Sequence, residues 1–239
     1  MSDLFVHGGR VFSDGDDQVQ DVLIEGGRVT AVGAGIEPPA GVETLDASGQ
    51  WVLPGMIDSQ VHFREPGMPH KEDLASGSLA AVAGGVTCFM EMPNTNPSTT
   101  DPAALEDKLQ RAAGRCWADH GFFIGASPEN ADQLGDWERL PGCAGVKMFM
   151  GSSTGSLLVA ADEDVERVLR SGEHRMAVHS EDDFRLKERY ASLAEGASVA
   201  QHPEVRDVEC AVRSTRRLLD LVEKTGRKVH ILHISTADE

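Results

Sequence analysis

The chain has 239 residues, enough for one or two domains and a sizeable core. Its 22 Lys and Arg stand against 39 Asp and Glu, a formal charge of −17. That charge opposes binding to nucleic acid or an anionic membrane, both of which demand a positive face. The longest uncharged run, Leu74 to Met90, is broken by Gly, Ser and Thr, so it is too short and too polar to span a bilayer. The first ten residues offer neither a basic nor an apolar secretory region. Cys88, Cys116, Cys143 and Cys210 form no C-x-x-C, so free thiols and a cytoplasmic location are expected.

The first fifty residues differ in texture from the rest. Leu4 to Phe12 reads as two short strands around Gly8-Gly9, and Val22 to Val32 repeats the pattern around Gly26-Gly27. Pro38-Pro39-Ala40-Gly41 interrupts, and Val42 to Val52 supplies one more strand pair. Residues 1–52 are therefore expected to be a small β module and residues 53–239 a second domain. In the second part, short apolar runs alternate with helical stretches. The strand runs are Val52–Ile57, Val86–Met92, Gly121–Gly125, Gly145–Met150, Met176–His179 and Lys228–Ile234. Asp101-Pro102 opens one helix, Asp162–Arg170 is amphipathic, and Val208–Lys224 ends at Gly226. This alternation predicts β/α units and a parallel sheet.

Sites in such proteins lie at the carboxyl ends of the strands. The first run exits into Asp58-Ser59-Gln60-Val61-His62-Phe63-Arg64, where the period of two places 60, 62 and 64 on one face. The second exits into Met92-Pro93-Asn94-Thr95-Asn96-Pro97. Lys147 lies in the fourth, followed by Gly151-Ser152-Ser153-Thr154-Gly155, which lacks the ending of a phosphate loop and reads as a mobile loop. His179 ends the fifth and His233 the sixth. Taken singly, each His is an ordinary structural residue and Lys147 a side chain reaching for solvent. Together, His62, Lys147, His179 and His233 at four strand exits point to a divalent metal site. His7, His70, His120, His174, His202 and His230 are left as structural, and Asp58 as a supporting carboxylate.

Asp58 to Gly67, Met92 to Pro97, Val146 to Gly155 and Leu232 to Ala237 resemble dihydroorotase, of the cyclic amidohydrolase group. The resemblance implies an α/β (β/α)8 TIM-type barrel, of which the first six units are present, with a small N-terminal β-sandwich module. It implies interconversion of dihydroorotate and N-carbamoyl-aspartate in pyrimidine synthesis, with one or two zinc ions. His62, His179 and His233 would be metal ligands, and Lys147, N6-carboxylated, the bridging one. Arg64 would grip the substrate carboxylate through its fork, and Asn94 would hydrogen-bond the same group. Gln60 stands where the family has the first His of its His-x-His pair, and an amide oxygen is a poorer zinc ligand than imidazole.

The family continues for two further β/α units, including an Asp after strand eight that no residue here replaces. The stretch is therefore expected to be incomplete, needing further chain or a partner for activity. Expected partners are the small-molecule substrate and other copies of the chain, with neither nucleic acid nor membrane. Two other readings compete: an allantoinase- or hydantoinase-like cyclic amidohydrolase, and a non-catalytic homologue that serves as a scaffold. Arg64 favours a carboxylate-bearing substrate over the first, and metal content with turnover discriminates the second.

Overall fold

The computed structural model describes residues 3–13, 15–153 and 157–239. Contacts divide the chain into two units, Met1–Met56 and Ile57–Glu239.

The first unit is a five-stranded sheet. Strands β1 (Leu4–Ser13), β2 (Asp16–Glu25), β3 (Arg28–Gly33) and β4 (Glu43–Asp46) run in the order β3-β2-β1-β4, and β5 (Trp51–Val52) also pairs with β1. The two Gly-Gly signals have different outcomes. Gly26 and Gly27, at φ +56° and +77°, form the hairpin turn between β2 and β3, which demands positive φ at both positions. Gly8-Gly9 is not a turn. β1 runs straight through it, and the extra residue is absorbed as a shift of register against β2 between Val6 and Gly9. Val6, Val11, Val22 and Ala47 form this unit's core.

The second unit carries strands β6 (Met56–Val61), β7 (Val86–Glu91), β8 (Asp119–Gly125), β9 (Cys143–Phe149), β10 (Met176–His179) and β11 (Val229–Ile231). They form one sheet in sequential order, and every step from β7 to β11 is parallel. This is the parallel sheet that the alternating pattern predicted, and its sequential strand order fits the first six units of the barrel that the resemblance implies. The run expected as Val52–Ile57 is split in two: Trp51–Val52 serves β1, and β6 starts after Pro54-Gly55, where proline has no N–H to give a ladder.

Helices α1 (Leu74–Ala83), α2 (Pro102–Ala112), α3 (Leu134–Trp137), α4 (Asp162–Arg170), α5 (Asp183–Ala191), α6 (His202–Val205) and α7 (Val208–Thr225) fill the connections. Their ends follow local chemistry. Asp73, Asp101, Asp182 and Asp207 each accept a backbone N–H of the first turn, and Gly226 at φ +71° stops α7. α4 starts with Asp162, Glu163 and Asp164 and ends with Arg167 and Arg170, matching the helix dipole at both ends.

The core lies between sheet and helices. Phe89, Phe122, Ile124, Val146, Met148, Met176 and Val178 point from the strands toward Leu74, Leu105, Leu134, Val165, Leu169 and Leu218 of the helices. Each such side chain contributes about 1.5–3 kcal/mol on burial. The opposite face of the sheet has only a small apolar patch of Met92, Phe123, Ala177 and Leu232, and there the polar groups collect.

Two buried ion pairs brace the strand ends. Glu91 and Lys108 meet at 2.8 Å with the carboxylate sealed from solvent, and Lys108 also donates to the Met92 carbonyl at 3.1 Å. Glu138 accepts from Arg227 at 2.6 Å and from the backbone N–H groups of Glu173 and His174 at 2.7 and 3.0 Å. All four cysteines are free thiols. Among the described residues no helix is long and apolar enough to cross a membrane.

Candidate metal and substrate site

Alternation along β9 and β10 decides which side chains leave the core. Val146 and Met148 face the helices, so Lys147 and Phe149 face the other way. Lys147 is paired with Ala177 and Phe149 with His179, which puts all four on one face. The Lys147 amine sits 4.5 Å from the centroid of the Phe149 ring, and that ring lies 5.7 Å from the His179 ring. Lys147 is 1% exposed and its amine has no hydrogen-bond partner among the described residues. It does not reach for solvent. Burial pushes its pKa down to about 7, so the neutral amine is well populated near neutrality.

His233 follows β11, which ends earlier than the sequence run suggested, and takes φ +40°. His179 Nδ1 and His233 Nε2 face each other at 3.1 Å. Burial, then His179, then Lys147 hold the His233 pKa below the usual imidazole range. His62 lies in the loop after β6, where burial, followed by the charges of Arg64 and Lys147, lowers its pKa to about 4. It is hydrogen-bonded to Asn94, which is buried in the loop after β7. Imidazoles held neutral at pH 7 keep the lone pairs that a cation requires.

Arg64 lies beyond the extended run of β6, which ends at Val61. Its φ is +64°, so the backbone turns there and the period of two that joins 60 and 62 does not extend to it. The turn lets the Arg64 backbone N–H reach the Glu91 carboxylate. It also leaves Nη1 of the guanidinium buried with no partner among the described residues. The loops after β6 and β7 touch closely: Asn96 N–H donates to the Pro66 carbonyl at 3.1 Å, and Gly67 at φ +98° leaves no room for a Cβ against Asn96.

Gln60 is half-buried on β6, and among the described residues its amide group takes no part in these contacts. Its backbone N–H is bound by Asp58 Oδ1 at 3.0 Å, a supporting use of that carboxylate. Thr154 and Gly155, the end of the expected loop, lie outside the described residues.

Two participants were not singled out from the sequence. Glu181 Oε2 lies 2.7 Å from His179 Nε2 and also accepts from Arg206. Arg206 in turn donates to the Ser152 carbonyl at 2.7 Å. A cavity of about 550 Å³ is lined by His179, Glu181, His202, Arg206 and His233. Glu181 was visible as the acid two residues past a strand-end His, but Arg206, from the turn before α7, carries no local signal.

Among the described residues no three His, Cys, Asp or Glu side chains are grouped to hold a metal ion. The donor set still suits one. Two Zn–N bonds of about 2.0–2.1 Å at a tetrahedral angle separate the nitrogens by roughly 3.3 Å, near the 3.1 Å between His179 and His233. Beside them lies an amine with no partner, the group that a third, anionic ligand would be made from.

The Amidohydrolase family model matches residues 51–231. Over 241 aligned residues, covering all of this chain and 52% of the relative, the sequence is 33% identical to a dihydroorotase of Methanosarcina mazei. An allantoinase of Deinococcus radiodurans is 32% identical over 98% of this chain and 53% of its own. Among solved structures, L-hydantoinase from Arthrobacter aurescens superposes with a TM-score of 0.87 at 26% identity, covering 100% of this chain and 54% of that one. The chain thus spans about half the length of the curated relatives it matches.

Proposed function

This chain belongs to the amidohydrolase family, and from that premise we propose that the protein is a dihydroorotase, opening and closing the cyclic amide between dihydroorotate and N-carbamoyl-aspartate. The observation that carries the choice of substrate is the buried, unpartnered Nη1 of Arg64, beside the hydrogen-bonded pair His62 and Asn94. A buried guanidinium N–H without an acceptor is costly, and a substrate carboxylate supplies the acceptor. Hydantoins have no such group. Several curated relatives, including those of Methanosarcina mazei and Trichlorobacter lovleyi, carry the name dihydroorotase.

The neutral amine of Lys147 is suited to attack CO2: a nitrogen–carbon bond forms as one C=O π bond opens, one amine proton passes to water, and the product is a carbamate whose single negative charge is shared by two oxygens. His62, His179, His233 and carboxylated Lys147 would hold the cation, with zinc preferred for imidazole donors. When bound, the cation supplies Lewis acidity toward the ring carbonyl and makes water acidic enough to act as nucleophile near neutrality. Arg64 and Asn94 fix the carboxylate end of the substrate, and the buried Phe149 ring covers the Lys147 amine. Gln60 lies outside this set.

The test is turnover of dihydroorotate, hydantoin and allantoin by the full, metal-loaded protein. Preference for dihydroorotate supports the proposal. Faster hydrolysis of hydantoin or allantoin overturns the substrate, and metal binding without turnover of any of them overturns the enzyme.

A further inference from the structure

Among the described residues, His179 is the one imidazole of the site with both ring nitrogens engaged. Nδ1 faces His233 at 3.1 Å, and Nε2 lies 2.7 Å from Glu181 Oε2. A carboxylate accepts only, so the proton of this hydrogen bond belongs to Nε2. A neutral imidazole has one proton, and placing it on Nε2 leaves Nδ1 with its lone pair directed into the site.

Glu181 does not hold this position alone. The oxygen that faces His179 also accepts from Arg206, and the same guanidinium donates to the Ser152 carbonyl at 2.7 Å and lies 5.9 Å from the Tyr190 ring. Arg206 thereby joins the turn before α7 to the segment after β9, with Glu181 between them. His179 and Glu181 are 11% and 17% exposed as side chains, and Arg206 is 19% exposed, so water competes weakly for these bonds. A free Glu two residues beyond a His would adopt many rotamers, and the guanidinium selects the one that meets Nε2.

We propose that Glu181, anchored by Arg206, is a positioning residue that fixes the Nε2–H tautomer of His179 and so presents Nδ1 as the metal-binding nitrogen. The inference rests on the reading of His179 as a ligand. It extends the site by two residues that neither touch the substrate nor bind the ion. Carboxylates that orient a ligating imidazole typically change metal affinity by about 10–100-fold when removed.

The first measurement needs no metal: long-range 15N–1H NMR of the full protein labelled at histidine, metal-free, at pH 7.5. The proposal expects a protonated, pyrrole-type Nε2 and an unprotonated Nδ1 for His179, assigned by its loss in His179→Gln. A protonated Nδ1 overturns the tautomer outright. The second measurement titrates Co2+ alone into the full protein and into Glu181→Gln and Arg206→Met. Affinity should fall about 10–100-fold in Glu181→Gln and less in Arg206→Met, and Glu181→Asp should recover part of the loss. Equal affinity in all three proteins overturns the positioning role. A wild-type protein that binds no Co2+, yet shows the expected tautomer, overturns the metal reading and leaves the tautomer assignment standing. Circular dichroism of each variant separates misfolding from loss of affinity, and the wild-type spectrum, assigned through a folded His179→Gln, decides the tautomer even if Glu181→Gln and Arg206→Met misfold.

Discussion

Lys147 and Phe149, two residues apart on β9, form a stacked pair in which the amine lies 4.5 Å from the ring centroid and touches no hydrogen-bond acceptor. Among the described residues the aromatic face is the one favourable partner of the Lys147 amine, and burial leaves that amine neutral much of the time near pH 7. Under 13C-labelled bicarbonate, the full protein should therefore show a carbamate carbon resonance that Lys147→Met abolishes. The substitution should lower dihydroorotate turnover by at least about a hundredfold, more than the loss of an outer-sphere partner. Retained turnover in Lys147→Met would falsify the role of the carbamate.

Arg64 makes a narrower prediction. A charge-assisted bond to a carboxylate is worth roughly 1.5–3 kcal/mol, and about 1.4 kcal/mol is tenfold. Arg64→Met should reduce kcat/KM for dihydroorotate by about ten- to a hundredfold while metal content, measured by elemental analysis, stays the same. Arg64→Lys should restore only part of it, since a point charge lacks the planar fork. A fall in metal content instead would assign Arg64 to the integrity of the site.

Glu138 and Arg227 give a prediction about pH. Burial works to raise the Glu138 pKa, but the N–H groups of Glu173 and His174 and the Arg227 guanidinium outweigh it, so the pKa lies below the ordinary carboxylate value. Its stabilisation is thus complete above the unfolded-state value near 4.5 and is lost as pH falls through the lower, folded-state value. Glu138→Gln leaves Arg227 charged and buried, and should cost about 3–5 kcal/mol in urea unfolding at pH 7. The gap to wild type should narrow as the pH is lowered below 4. A gap that stays constant with pH removes the ion pair as its cause.

Gly67 offers a test of the contact between the two site loops. Alanine there would have φ +98° and a Cβ 2.3 Å from the Asn96 carbonyl oxygen. Left-handed backbone alone costs about 1–2 kcal/mol for an L-residue, so the thermal midpoint should fall. Asn94, two residues before the contact, should shift with it and raise KM for dihydroorotate. A variant with unaltered midpoint and KM refutes the close packing of these loops.

The parts of this protein set by local patterns were legible before the structure. Met176–His179 is a strand at the bounds its apolar run suggested, and the amphipathic Asp162–Arg170 segment is a helix. α1 escaped because Leu74–Ala83 is built from small, uncharged residues with Gly77 in its middle, so it has no polar face to mark a helical period. Its N-cap, Asp73, is seen only in the structure. Phe63 packs against Gly77, which is why that glycine sits inside a helix at all. The alternation that grouped Arg64 with Gln60 and His62 fails at Arg64, whose left-handed backbone breaks the period of two. The Glu181–Arg206 bond spans 25 residues between a strand end and a later turn, a distance over which no periodicity carries information.

The alternation of β9 has a consequence for how this sequence can change. Val146, Lys147, Met148 and Phe149 alternate between the helix-facing core and the face that carries the chemistry. Inserting or deleting one residue upstream in the strand would exchange those roles, burying a cation among Val165, Leu169 and Leu218 and offering a thioether where an amine belongs. Substitutions on the site face, by contrast, leave the helix-facing layer intact. Evolution in this strand is therefore free to trade residues and nearly forbidden to trade length: new specificities are reached by replacement at every second position, while the reading frame of the strand is inherited unchanged.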